Sequence, residues 1–452
     1  MTRHLLDWIV AAGEDGPYGD AALLRSMVRF EVALAQAQAR VGAIPQAAAD
    51  AIAQHASGLA LDPAPLARAG AHAGTLVVPF VRALVSHVAT RDESAARWIH
   101  HGATSQDVMD TALALCTRKA LAALERDLSR ASRAAAALAR RHATAPMLAR
   151  TLLQPAGVTT AGFKCAHWAL SLARVRWRLL RTAQEALAVS LGGAAGNLAE
   201  LGEHGPAVRA QMAQALELTD PGTTWHSHRE PWIALAADTG LGCGAMAKIA
   251  RDVALMAQAE VAEAREPQAD GRGASSAMPH KRNPALTLRI LATTQPVPGM
   301  ISGLLAGMVQ EHERALGNWQ AELTQFPQVF THALAAAAAL GEMLEGLHID
   351  TARCRANIEA LHGTIFSERL AGLLLPVLGK EAAQATVADL CRGALDGGRH
   401  LRDVARERLS GDARLQPHLG GELDEVFDLE RPVRLSAAQI EPLLAAVERP
   451  VP

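Results

Sequence analysis

The sequence predicts an all-α protein of long helices, and three observations carry that prediction. Half of the 452 residues are hydrophobic but only 3% are aromatic, so the core is built of alanine, leucine and valine. Such thin side chains let helices approach closely, and Ala and Leu are strong helix formers. Apolar residues recur at steps of three and four, and no segment alternates with period two for long enough to make a strand.

Taken in chain order, a first helical region is closed by the polar block HHGATSQDVMD, residues 100–110. From Leu121, the positions Leu124, Leu128, Ala131, Ala135 and Leu138 draw one stripe along a helix. RTLLQPAGVTT (150–160), GGAAGN (192–197) and WHSHREPW (225–232) are further breaks. Met246, Ile249, Val253 and Met256 then share a helical face, and GRGASSAMPHKRNPA (271–285) breaks the pattern again. Near LHGTIFSERL (361–370) the helices become shorter. The expected domains are residues 1–110, 111–360 and 361–452. The central helices exceed the globular average of about 10 to 14 residues. Being alanine-rich, they point to a bundle completed by other subunits.

A net charge of −2 leaves no broad basic surface for nucleic acid. The cysteines at 116, 165, 243, 354 and 391 are odd in number and lack a spaced pair, which fits a reducing cytosol. The apolar patch in MTRHLLDWIVAAGEDG is too short for a signal peptide, and GMISGLLAGMV is too short to cross a bilayer. The expectation is a cytoplasmic protein without membrane contact.

The 271–285 stretch carries the chemistry. Pro267 is read as the end of the preceding helix, with Gly271 and Gly273 making the next segment mobile. Asn283 suits an N-cap and Pro284 a first helical turn, so free N–H groups there could hold an anion beside Lys281. Ser275 and Ser276 sit on the mobile part. A serine beside a cation, on a loop that excludes water, can act as a base once its alkoxide is stabilised.

GASSAMPHKRNP resembles the signature loop of the fumarase/aspartase superfamily, Gly-(x)-Ser-Ser-x-Met-Pro-x-Lys-x-Asn-Pro. HHGATSQDVMDTA and ARTLLQPAGVTTAGFK resemble its other two blocks, in the right order. Within the superfamily, these blocks with LGGAAGNLAELG and QEHERALGNWQAE look most like the bacterial 3-carboxy-cis,cis-muconate cycloisomerases. The resemblance implies three helical domains, a homotetramer with a 20-helix core, and active sites shared by three subunits. It also implies Ser275 as catalytic base, with Lys281 and Asn283 as carboxylate ligands and Ser276 and Met278 beside them. It further assigns His100, Thr104 and Ser105 to the first block, and Gln154 as a substrate-binding residue of the second.

One departure matters. The superfamily usually reads Arg-Thr-His in the second block, where the histidine serves as general acid or its partner, and this chain reads Arg150-Thr151-Leu152. Expelling an amine or hydroxide needs a proton donor. A carboxylate leaving group, with a pKa near ~4, does not. Leu152 is therefore compatible with opening a lactone by β-elimination, or with the reverse cyclisation of a muconate. His100, His101 and His280 stay open as replacement donors, and another anionic leaving group such as nitrite fits the same logic.

The reaction implied is cofactor-free interconversion of 3-carboxy-cis,cis-muconate and 4-carboxymuconolactone. Its substrate is a tricarboxylate, so fixed positive charge is needed, and Arg229 and Arg314 are candidates. His226 and His228 lack supporting carboxylates or cysteines, so no metal is expected. GGAAGN is read as a tight turn whose N–H groups approach the substrate. The alternatives are an adenylosuccinate or nitrosuccinate-type lyase, or a non-catalytic structural tetramer.

Overall fold

The computed structural model describes residues 8–10 and 16–448. Of the opening apolar patch, only residues 8–10 and 16 fall within that set. Four long helices dominate: Ser105–Arg141, Ala161–Ala186, Glu230–Met256 and Asn318–Glu345. The 105–141 helix alone has 37 residues. It packs against the 161–186 and 318–345 helices, and the 230–256 helix packs against the same two. Both predicted stripes lie inside: Leu121, Leu124, Leu128, Ala131, Ala135 and Leu138 are buried, as are Met246, Ile249, Val253 and Met256. The all-α prediction holds, and small side chains at the contacts allow it.

The helix Asp20–Arg40 lies along the 105–141 helix and shares the main core through Met27, Phe30 and Leu34. Residues 366–426 enclose a second cluster, built on Leu370, Leu374, Leu390, Leu401 and Leu423. The helix Ile440–Val447 returns to the main core and packs on the 161–186 helix through Ile440 and Leu444.

Among the described residues, the 230–256 helix is long and apolar enough by composition to cross a membrane, but 56% of its most apolar window is buried within the protein. It is a core helix of the bundle.

Three local readings are corrected. Ser105–Asp110 belong to the long helix, because the Asp107 carboxylate accepts the Thr104 N–H at 3.0 Å and caps its start. The 230–256 helix stops well before Pro267, and Ala264–Arg265 instead pair with His348–Ile349 as a short antiparallel ladder. The second block is a hairpin, Pro146–Thr151 against Gln154–Thr160, turning at Leu152-Leu153. Both leucines are left-handed, at φ 49° and 65°. Hairpin turns of this kind favour Asn or Gly, so the sequence carried no turn signal.

Candidate active site

The predicted site residues fall in three places on one chain. The first is the start of the 105–141 helix. His100 is held at φ 64°. Glu31 accepts its backbone N–H at 3.0 Å and its ring Nδ1–H at 2.8 Å. Burial draws the His100 pKa down, but the hydrogen bond and charge of Glu31, with Asp107, more than offset this and leave it raised. Arg314, on the 307–317 loop, donates to Thr104 Oγ1 at 2.9 Å and to the carbonyls of Gly193 and Ala194 at 3.3 and 2.9 Å. Thus His100, Thr104, Ser105 and Arg314 belong to one neighbourhood.

Asp107 organises this neighbourhood. Its carboxylate accepts from Thr104 N, His226 Nε2, Gly192 N and Gly193 N, at 2.6 to 3.0 Å. The GGAAGN reading is corrected here, because the Gly192 and Gly193 N–H groups are held by Asp107 rather than facing a ligand. His226 is buried against Asp107 while His228 is exposed, so the pair does not converge.

The second place is the hairpin tip. Gln154 is exposed there and follows directly on Leu152 and Leu153, which are 96% and 70% exposed. The base is fixed by a bidentate pair from Arg150 to the fully buried Glu263, at 2.7 and 2.8 Å. Asn357 donates to the same carboxylate at 2.9 Å.

The third place is the 271–285 loop. Its ends are tied rather than loose. Asn283 donates to the Gly273 carbonyl through its backbone N–H at 2.8 Å and its side chain at 3.2 Å. Arg272 pairs with Glu342. Between these ties, Ser276, Met278 and Lys281 are exposed and Ser275 is half-buried. Ser275 Oγ accepts N–H groups of Met278 at 3.1 Å and Ala277 at 3.4 Å, which is how a loop stabilises a developing alkoxide. The expected free helix N-terminus is corrected. The helix starts at Ala285, and Glu266 accepts the Leu286 and Thr287 N–H groups at 3.0 and 2.6 Å. A carboxylate of the protein already fills the place proposed for a substrate carboxylate.

Gly273 sits at φ 64°, and a Cβ there would stand 2.2 Å from the Asn283 carbonyl oxygen. Gly273→Ala is expected to open the tie and lower kcat at least about tenfold, as misplacement of a catalytic group does. Steady-state kinetics beside a far-ultraviolet circular dichroism spectrum checks this.

Arg229 does not reach the first place. It is buried, bonded to Asp110 at 2.8 and 3.1 Å, paired with Glu322, and lies 4.3 Å over the Trp225 ring. Its charge is consumed in the core, so the expectation that it grips substrate is corrected.

The sequence reading missed Glu31, Asp107, Glu263 and Glu266. Glu31 left a trace, being a carboxylate beside Met27, Phe30 and Leu34 of an apolar helical stripe.

Burial pushes the thiols of Cys165, Cys243 and Cys354 up to about 12, which keeps them protonated and unreactive. A cavity of about 460 Å³ lies between residues 185–188 and 221–232, and none of the predicted site residues lines it.

Fold and sequence blocks together define a class: an all-α enzyme of long bundled helices. The chain belongs to the lyase family, whose model matches residues 16–295. It is 42% identical to a 3-carboxy-cis,cis-muconate cycloisomerase of Bradyrhizobium diazoefficiens, over 95% of each chain. It is 41% identical to a nitrosuccinate lyase of Streptomyces davaonensis, over 96% of this chain and 92% of that one. The crystal structure of the β-carboxy-cis,cis-muconate cycloisomerase from Acinetobacter calcoaceticus sp. ADP1 superposes with a TM-score of 0.86 at 36% identity, covering 94% and 96% of the two chains.

Proposed function

We propose that this protein is a cycloisomerase interconverting 3-carboxy-cis,cis-muconate and 4-carboxymuconolactone without a cofactor. The observation that carries the reading is Leu152 at the hairpin tip. Where the superfamily places a proton donor, this chain has an exposed alkyl group, which fits a leaving group that departs as a stable anion.

Ser275 takes the hydrogen from the carbon next to a carboxylate, and electron density collects on that carboxylate. Lys281 supplies charge at the loop, with Asn283 fixing its closure. His100, Thr104, Ser105 and Arg314 bind another carboxylate, Gln154 bears on the substrate from the hairpin, and Ser276 and Met278 line the closing loop. As the lactone C–O bond breaks, both electrons go to the oxygen, which leaves as the third carboxylate. The same path run backwards closes the lactone.

A homotetramer with shared sites accounts for the separation of the three places. No hydrogen bond links them among the described residues, and apolar Val309 and Leu316, 80% and 88% exposed, flank Arg314. We read the chain as three domains with boundaries near residues 110 and 360: the first falls at the start of the 105–141 helix, and the separate 366–426 cluster supports the second, with the 440–447 helix returning to the main core. We place the protein in the cytoplasm.

A second reading is elimination of nitrite from nitrosuccinate, favoured by the 41% identity to such a lyase. Loss of muconate absorbance on adding the purified protein to the triacid is the expected result. Release of nitrite and fumarate from nitrosuccinate, with the triacid untouched, would overturn the first reading in favour of the second.

A further inference from the structure

Glu31 and Gln38 stand seven residues apart on the 20–40 helix, so they share a face. Both are buried, and both reach the turn that precedes the 105–141 helix. Gln38 donates to the His101 carbonyl at 2.7 Å. Glu31 takes both N–H groups of His100, backbone and ring, one on each oxygen. The turn is strained there, because a left-handed backbone is disfavoured for a non-glycine residue. A bidentate carboxylate offsets that cost and fixes the ring at the same time.

We propose that Glu31 is the positioning residue of His100: by accepting from Nδ1 it sets the tautomer and leaves Nε2 as the nitrogen that meets the substrate. A carboxylate is an acceptor only, so the ring hydrogen must sit on Nδ1. Nε2 has no partner among the described residues, and the His100 side chain is 22% exposed. Nε2 is thus the nitrogen left to a ligand. The groups that charge this ring are Glu31 from the 20–40 helix and Asp107 from the 105–141 helix, with Arg314 held one residue contact away on Thr104. Against the effect of burial, the Glu31 carboxylate also raises the His100 pKa from its ordinary value, through its hydrogen bond and charge. The inference rests on the proposed role of His100 and says how that residue is prepared for it.

The test compares Glu31→Gln and His100→Asn with the unaltered protein, using kcat and KM on the muconate triacid from pH 6 to 9 and histidine nuclear magnetic resonance. Glu31→Gln is expected to move the His100 titration, and the alkaline fall of kcat/KM with it, down by about 1 to 2 pH units. KM should rise at neutral pH while kcat stays within a few-fold. An unmoved profile in Glu31→Gln, with His100→Asn impaired, overturns the inference and leaves the site reading standing. An unimpaired His100→Asn overturns both. If Glu31→Gln does not fold, ¹⁵N shifts of the unaltered protein decide. Neutral His100 protonated at Nδ1 supports the proposal, and protonation at Nε2 overturns it.

Discussion

Ser275→Ala is expected to lower kcat/KM on the muconate triacid by about 10² to 10⁴-fold, the contribution of a proton-transfer group, while leaving the fold intact. The Ser275 hydroxyl receives only two neighbouring N–H groups, in a segment that is largely open to solvent. No buried contact is lost, so thermal unfolding should match the parent protein. Turnover by Ser275→Ala within about tenfold of the parent would remove this serine from the mechanism.

Arg229→Met should act in the opposite way, on stability. The guanidinium joins Asp110 of the 105–141 helix, Glu322 of the 318–345 helix and the Trp225 ring, at the start of the 230–256 helix. Removing it leaves two carboxylates buried without their cation, which costs about 3 to 5 kcal/mol. Burial already holds the Glu322 carboxyl above its ordinary pKa despite Arg229. Without Arg229 that pKa rises further, and protonation then favours the folded state. The loss should therefore be larger at neutral pH and shrink as pH falls through the Glu322 pKa. Urea denaturation at matched protein concentration and two pH values checks both magnitude and sign, and an unchanged midpoint at neutral pH would contradict it. Arg229→Lys should recover only part, because an ammonium cannot bridge two carboxylates with paired bonds.

The bundle was legible because its cause is local. Period and alanine content mark which face of each helix is buried, and Leu121–Leu138 and Met246–Met256 follow that pattern. The candidate loops were legible as breaks because polar, glycine-rich motifs interrupt it. What could not be read was which partner each polar group would find. Arg229 and Arg314 look alike in sequence, yet one meets Asp110 and Glu322 in the core while the other sits on Thr104. The N–H groups assigned to substrate at Gly192, Gly193 and Leu286 are taken by Asp107 and Glu266, acids that lie 85 and 20 residues away from Gly192 and Leu286. Such pairings come from long-range packing. The hairpin escaped because its turn uses leucine where glycine or asparagine would announce it.

Glu263 and Glu266 flank a two-residue ladder, yet one grips the Arg150 hairpin while the other closes the helix that follows the serine loop. Two of the segments proposed for the site, the hairpin and the helix after the serine loop, are therefore tied to one short ladder. Damage at Arg150 and damage at Glu266 should interfere with each other when combined, so the double variant would lose less, or more, than its single parents foretell. On the proposed function, the exposed tip at 152 is free to change with the leaving group only while that ladder stays untouched.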